Sequence, residues 1–146
     1  MEKEILGHFP ETRGLELLRD GKRREKVMVL QEKECVPFLT FPKLSACDMV
    51  DHLFSIRAGG VSEGQFSSMN FSSRLGDDPE KVKENFRRIS QVLGCELTDM
   101  VSTDQTHTTN IRKVTRGDGG KGIVSPKDYQ DIDGLVTNEK GLTLCA

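Results

Sequence analysis

Two short polar segments contain the residues of this sequence whose types and spacing are best suited to chemistry. The first, SIRAGGVSEG, places Arg57 just before Gly59 and Gly60 and close to the hydroxyl of Ser62. A guanidinium beside flexible backbone amides and a hydroxyl is typical of a pocket for an anion such as phosphate. A glycine pair is also common between strands, so an ordinary turn is the alternative interpretation.

The second segment is STDQTHTTN, in which His107 follows Gln105 and is surrounded by threonines. These polar neighbours argue against a histidine buried in a core, and a neutral imidazole can bind a metal ion or transfer a proton. One histidine does not make a zinc site, because zinc needs several protein ligands and no second His or Cys lies at ligand spacing. His8 and His52 have less support from their surroundings.

Length and composition limit the classes of protein to which the chain can belong. Its 146 residues are 35% hydrophobic, which is enough for one domain with a sizeable core. The formal net charge of -2 gives no basic surface for the phosphates of a nucleic acid, so no nucleic-acid partner is expected.

The expected location is the cytoplasm, without a membrane partner. The start, MEKEILGHFPETRG, is acidic where a signal peptide needs an apolar stretch, and no apolar run reaches the roughly 18 residues of a membrane helix. The four cysteines are widely spaced, which predicts reduced thiols in the core rather than disulfides or zinc ligands.

One helix is predicted with clear ends, inside the segment GDDPEKVKENFRRISQVLG. Asp78 is a good N-cap, Pro79 suits the first helical position and Gly94 ends the helix. The apolar residues between them fall on one face of the helix, which indicates packing against a core.

Strands are predicted on both sides of this helix, because short β-rich apolar runs alternate with turn residues. Before the helix we expect a strand that ends at a turn over 20–21, followed by strands over 26–30, 35–41 and 49–57. After it we expect strands over 97–101, 110–115, 132–137 and 142–145, with a loop over 116–131. Pro37 places the run over 35–41 at a sheet edge or at the start of a strand.

Five segments in a fixed order carry a resemblance to a known family. They are SIRAGGVSEG, SSMNF, GDDPEKVKENFRRI, DQTHTTNI and DIDGLVTNEKGLTL. Together they resemble the YfiH family, also called the polyphenol oxidoreductase or laccase-domain family. The resemblance extends from about Phe54 to the end of the chain, and the order of the segments makes it specific.

The resemblance implies an α/β (α+β) fold in which mixed sheets are flanked by helices. It also implies a zinc-dependent purine nucleoside phosphorylase, acting on adenosine, inosine, guanosine and methylthioadenosine, with adenosine deaminase activity. Nucleoside and phosphate are then the partners, and a cysteine and two histidines hold the zinc. By position, His107 is expected to be a zinc ligand and catalytic, and Arg57 to be catalytic and to bind substrate. The expected lining of the substrate pocket is Gly59, Gly60, Ser62, Asn70 and Gln105.

The sequence departs from the family in one respect. The family's cysteine, in an Ala-Asp-Cys triplet, and its second histidine, in a His-Ala-Gly-Trp segment, are absent, and Cys145 falls short of that register. We therefore expect residues 1–146 to be the N-terminal portion of a single domain, truncated before the cysteine motif and inactive alone. The alternatives are a copper-dependent polyphenol oxidase and a non-catalytic anion-binding or nucleotide-binding domain, and the oligomeric state stays open.

Overall fold

The first part of the fold is a three-stranded antiparallel sheet. The computed structural model describes residues 27–146. Strands β1 (Val29–Lys33), β2 (Val36–Thr40) and β3 (Phe54–Ser55) pair in the order β1-β2-β3. Alternate residues of β2 are buried, so this strand turns one face toward the core.

The sheet differs from the sequence prediction in three places. Strand β2 is central, so the sheet-edge alternative for the run over 35–41 is wrong, whereas the strand-start alternative holds because Pro37 is the second residue of β2. Strand β3 pairs only with Phe38 and Leu39, and Pro37 lies beyond that ladder. The strand expected over 26–30 is Val29–Lys33. The strand expected over 49–57 is reduced to β3, which follows the short helix α1 (Pro42–Ser45). The strand and turn expected up to 20–21 lie outside the described residues.

The long helix is α2 (Pro79–Leu93), and its predicted ends are confirmed. The Asp78 carboxylate accepts the amide of Glu80 at 2.9 Å, and Gly94 takes the left-handed conformation at φ 71°. The predicted apolar face is buried against β2 and the segments around Met69 and Met100. Its buried members are Val82, Phe86, Ile89 and Val92.

Two parallel strand pairs form the rest of the fold. Strand β4 (Met100–Ser102) pairs with β7 (Thr143–Cys145), and β5 (Ile111–Lys113) pairs with β6 (Gly134–Val136). The strand predicted over 97–101 begins only at Met100, because Leu97–Asp99 form a 3-10 turn. Parallel strands require long connections, so these pairs join segments that are far apart along the chain.

The mixture of small sheets and helices confirms the α/β class. A second core cluster lies beside the parallel pairs and consists of Val101, Val114 and Tyr129 with partly buried neighbours. The loop over 116–131 begins with the 3-10 turn Arg116–Asp118. Within residues 27–146, no helix has the length and apolar character needed to cross a membrane.

Candidate functional site

The segment over 57–70 follows β3 and is called the glycine loop. Arg57 joins its two sides. Its Nε donates to the carbonyl oxygen of Ser67 at 3.1 Å, and its Nη2 donates to that of Gln65 at 2.9 Å. The residue is exposed to solvent. Its guanidinium therefore holds the loop closed while remaining accessible from outside.

The glycine pair is required by close approach of the backbone. A side chain at Gly60 would lie 2.1 Å from the carbonyl oxygen of Ser68, and the Gly60 amide donates to the Ser68 hydroxyl at 3.1 Å. Gly59 has φ +86°, and a side chain there would lie 2.8 Å from Cδ of Pro37. Both glycines thus permit the loop to pack against its neighbours.

Ser62 and Asn70 belong to a buried polar network. The Ser62 hydroxyl donates to Asp77 Oδ2 at 2.7 Å, and Asn70 Nδ2 donates to the same oxygen at 2.7 Å. The bond from Asn70, followed by that from Ser62, lowers the pKa of Asp77 against the effect of its burial. Asn85 Nδ2 donates to Ser62 Oγ at 3.0 Å. The network therefore connects the glycine loop to helix α2.

Sequence reasoning missed Asp77 and Asn85. A signal for Asn85 was present, since it lies next to Phe86 on the side of the helix where Val82 and Ile89 are apolar. Asn85 has no exposed surface, and a fully buried amide must satisfy its hydrogen-bonding groups within the protein.

His107 lies in an exposed turn held by Asp133. The backbone of His107 is left-handed, at φ 64°, and its amide donates to Asp133 Oδ1 at 2.8 Å. The amides of Thr106 and Thr108 donate to Oδ2 of the same carboxylate at 3.3 and 3.0 Å, and the Thr108 hydroxyl donates at 2.7 Å. The Thr108 hydroxyl, followed by the backbone amides, lowers the pKa of Asp133 to about 2.

A polar cleft of about 410 Å³ lies beside this turn. The carboxylate of Asp104 is nearly buried there and forms ion pairs with Lys127 at 2.9 Å and Arg74 at 3.4 Å. The hydrogen bond from Lys127 is the main cause of the lowered pKa of Asp104. The cleft is lined by Arg74, Asp104, Thr106, Lys127, Tyr129, Gln130 and Asp131.

The structure brings some of the predicted site segments together and leaves others apart. The Arg74 to Asp104 ion pair joins the segment after Asn70 to the segment of the exposed Gln105 and His107. In the part of the chain that the structure describes, no hydrogen bond or ion pair joins Arg57 to His107. The glycine loop with Arg57, predicted to bind an anion, and His107, predicted to bind a metal, therefore belong to separate loops.

The described residues do not by themselves fit a metal site. Within 27–146, no group of three or more His, Cys, Asp or Glu side chains could hold a metal ion. Near His107, the Asp133 carboxylate accepts bonds from the turn and Asp131 accepts the Thr106 hydroxyl at 2.7 Å. The assignment of zinc or copper therefore stays a prediction.

The cysteines differ in their surroundings. Burial, followed by the neighbouring Cys95, raises the pKa of the Cys145 thiol to about 12, which keeps it protonated and unreactive at neutral pH. Cys35 is exposed, so the prediction of a core position is wrong for this residue. It lies in the tight turn between β1 and β2, with φ 60°, outside the buried face of either strand.

The sequence places the chain in a family. A sequence model of the multi-copper polyphenol oxidoreductase laccase family matches residues 51–146, so the chain belongs to this family. The match includes α2, the glycine loop and the turn of His107.

Particular relatives are named as phosphorylases. The chain is 38% identical over 90 residues to purine nucleoside phosphorylase YlmD of Geobacillus stearothermophilus, covering 59% of this chain and 32% of the relative. It is 31% identical over 110 residues to a purine nucleoside phosphorylase of Bacteroides thetaiotaomicron, covering 73% and 40%. The chain thus spans about a third to two fifths of the length of these curated relatives.

Solved structures have the same fold. The crystal structure of the Bacillus licheniformis hypothetical protein YfiH superposes with a TM-score of 0.69 at 28% identity, covering 79% of this chain and 42% of that one. YlmD of Geobacillus stearothermophilus gives 0.65 at 30% identity, covering 80% and 43%. These similarities confirm both the family resemblance and the fold class.

Proposed function

We propose that the protein is a purine nucleoside phosphorylase that also deaminates adenosine. One observation carries the proposal: the family match over residues 51–146 contains both the Arg57 loop and the turn of His107, and similar proteins are named purine nucleoside phosphorylase. In both places a side chain suited to chemistry is exposed on a loop held by several hydrogen bonds. The proposed substrates are adenosine, inosine, guanosine and methylthioadenosine, together with phosphate.

Arg57 is the proposed phosphate-binding residue. Phosphorolysis forms a bond between a phosphate oxygen and the anomeric carbon of the ribose, while the bond from that carbon to the purine breaks. The attacking anion must be held in position, which a guanidinium does well because its donors form a planar fork. Two of its nitrogens hold the loop carbonyls, which fixes the orientation of the plane. The glycine loop and Gln105 complete the proposed binding surface.

His107 is the proposed ligand of a zinc ion whose other protein ligands lie outside residues 27–146. A bound zinc ion polarises a substrate atom or lowers the pKa of a bound water. The exposed side chain of His107 suits such a role, since this residue is bonded within residues 27–146 through its backbone amide rather than its imidazole.

The test measures release of purine base from inosine by the full-length protein, with and without phosphate, and ammonia release from adenosine. We expect Arg57→Lys to raise the KM for phosphate by about tenfold, because lysine keeps the charge but loses the fork. Deamination needs no phosphate and should change less. Arg87→Lys, at an exposed position of α2, is the matched control and should leave both reactions unchanged.

Four results would contradict the proposal or redirect it. Absence of phosphate-dependent base release by the wild type would refute the phosphorylase. An equal loss of both activities in Arg57→Lys, with no change in phosphate dependence, would make Arg57 structural. Elemental analysis of protein purified without added metal separates zinc from copper, and copper-dependent phenol oxidation without nucleoside turnover would support the oxidase. Nucleoside binding without turnover would support the binding domain.

A further inference from the structure

The turn of His107 surrounds a carboxylate of its own chain. Three successive amides, those of Thr106, His107 and Thr108, donate to Asp133, and the Thr108 hydroxyl adds a fourth bond. Successive amides that converge in this way form a concave anion site, called a nest, when one of the residues is left-handed. His107 is that residue, at φ 64°.

A left-handed conformation at histidine needs an external cause. For residues other than glycine, this conformation is unfavourable, and interactions with the surrounding structure have to stabilise it. The Asp133 carboxylate supplies this stabilisation, because its two oxygens accept the three amides only when the backbone of the turn is left-handed at His107. Charge-assisted hydrogen bonds of this kind are stronger than those to neutral acceptors.

The position of Asp133 is in turn fixed by the sheet. Its amide donates to the carbonyl oxygen of Asn110 at 3.1 Å, immediately before the β5 and β6 ladder begins at Ile111 and Gly134. The carboxylate therefore leaves the backbone from a fixed point at the end of two paired strands. Asp133 and His107 are 26 residues apart in the sequence, so this bond also connects two separate loops.

We propose that Asp133 is the positioning residue for His107. By filling the nest it fixes the backbone of the turn and hence the direction in which the imidazole leaves the chain. This inference rests on the proposed role of His107 in the reaction. The part that concerns the geometry of the turn can be measured separately.

The experiment removes the carboxylate and then returns it. Asp133→Ala in the full-length protein empties the nest, and sodium formate supplies a carboxylate of matching size. NMR follows the amide protons of residues 106–108 and the coupling constant that reports φ of His107. Nucleoside turnover is measured on the same samples, with sodium chloride as the salt control and Asp51→Ala, at an exposed aspartate, as the matched variant.

We expect Asp133→Ala to shift the amide signals of 106–108, to speed their hydrogen exchange at least tenfold and to change the His107 coupling. The kcat should fall more than the KM for nucleoside rises, because a displaced imidazole affects the reacting state most. Formate should restore the amide signals and the kcat together, whereas chloride should not. Asp133→Asn keeps the size and one acceptor oxygen, so it should fold and give an intermediate result.

The outcomes separate this inference from the proposed function. Unchanged amide signals and an unchanged His107 coupling in Asp133→Ala would overturn the inference, whatever the activity. If Asp133→Ala loses the amide signals of the turn but keeps the wild-type kcat, the turn does not position His107 for the reaction and the inference is overturned. If the wild type shows no nucleoside turnover, the proposed function fails, and the NMR signals with formate still decide whether Asp133 sets the turn.

Discussion

The side chain of Asn85 accepts the backbone amide of Val61 through Oδ1 at 2.8 Å, which fixes the glycine loop to helix α2. The Nδ2 group of the same side chain has two protons and lies within hydrogen-bonding distance of three acceptors, one next to Val61 and two on the returning side of the loop. They are Ser62 Oγ at 3.0 Å, the Ser68 carbonyl at 3.2 Å and the Asn70 carbonyl at 2.7 Å. One buried amide therefore determines the spacing of both sides of the loop.

Replacement of this amide by a carboxylate should destabilise the protein strongly. Asn85→Asp conserves the volume but places a buried oxygen against the carbonyls of Ser68 and Asn70. Both carbonyls then lose the hydrogen-bond donor that Asn85 Nδ2 provides. We expect the free energy of unfolding to fall by about 3 kcal/mol, measured by urea denaturation. Gln91→Glu makes the same chemical change at an exposed position of α2 and should cost less than about 0.5 kcal/mol. Equal effects of the two variants would show that Asn85 is not needed for the loop.

A methyl group at Gly60 should also disturb the loop. It would come within 2.1 Å of the Ser68 carbonyl oxygen and 2.5 Å of Cα of Met69, so the backbone has to move. We expect Gly60→Ala to lower the free energy of unfolding by about 1–3 kcal/mol. Gly117→Ala is the control, because the nearest atom to its new methyl group would be Thr115 Oγ1 at 3.7 Å. Similar melting temperatures for Gly60→Ala and the wild type would contradict the close approach.

The core contact between α2 and Phe71 predicts a large effect of Phe86→Ala. Phe86 is 6% exposed, and its ring centroid lies 4.9 Å from that of Phe71. Truncation of such a side chain removes buried area and leaves a cavity, at a cost of about 3–5 kcal/mol. Phe54→Ala makes the same substitution at a residue that is 57% exposed and should cost far less. Thermal unfolding of both variants checks the difference, and an unchanged melting temperature for Phe86→Ala would mean that this face is not core.

Asp118 should stabilise the folded protein at neutral pH but not in acid. The Lys121 ammonium at 2.7 Å, followed by the amide of Thr115, lowers the pKa of Asp118 to about 2. Because the folded pKa lies below the ordinary value, the stabilisation is complete above that value and disappears as the pH falls from about 5 to about 2. A shift of this size corresponds to roughly 2 kcal/mol.

The comparison of the wild type with Asp118→Asn tests this prediction. The variant should be less stable by about 2 kcal/mol at pH 7, and the difference should shrink toward zero near pH 2. Urea denaturation at several pH values measures the difference directly. A difference that does not depend on pH would show that the ionised carboxylate is not the source of the stabilisation.

The sequence determined the helix and the family. The ends of α2 depend on residues adjacent to it, since Asp78 accepts an amide two residues away and Gly94 ends the helix by its own conformation. Such signals act between neighbours in the chain, so they can be recognised without the fold. The ordered segments from the glycine loop to the end of the chain likewise identified the family that the comparisons confirm.

Tertiary structure decided the strand arrangement and the partners of the site residues. Pro37 left a sheet edge and a strand start as alternatives, and pairing with both β1 and β3 makes β2 central, with Pro37 near its start and beyond the end of β3. Asp133 was not recognised from the sequence, and its role follows from the parallel pairing of β5 and β6, which brings it to the turn of His107. Apolar periodicity and turn residues encode local conformation. Contacts between distant segments depend on how the elements pack, and a pattern along one stretch of chain does not contain that information.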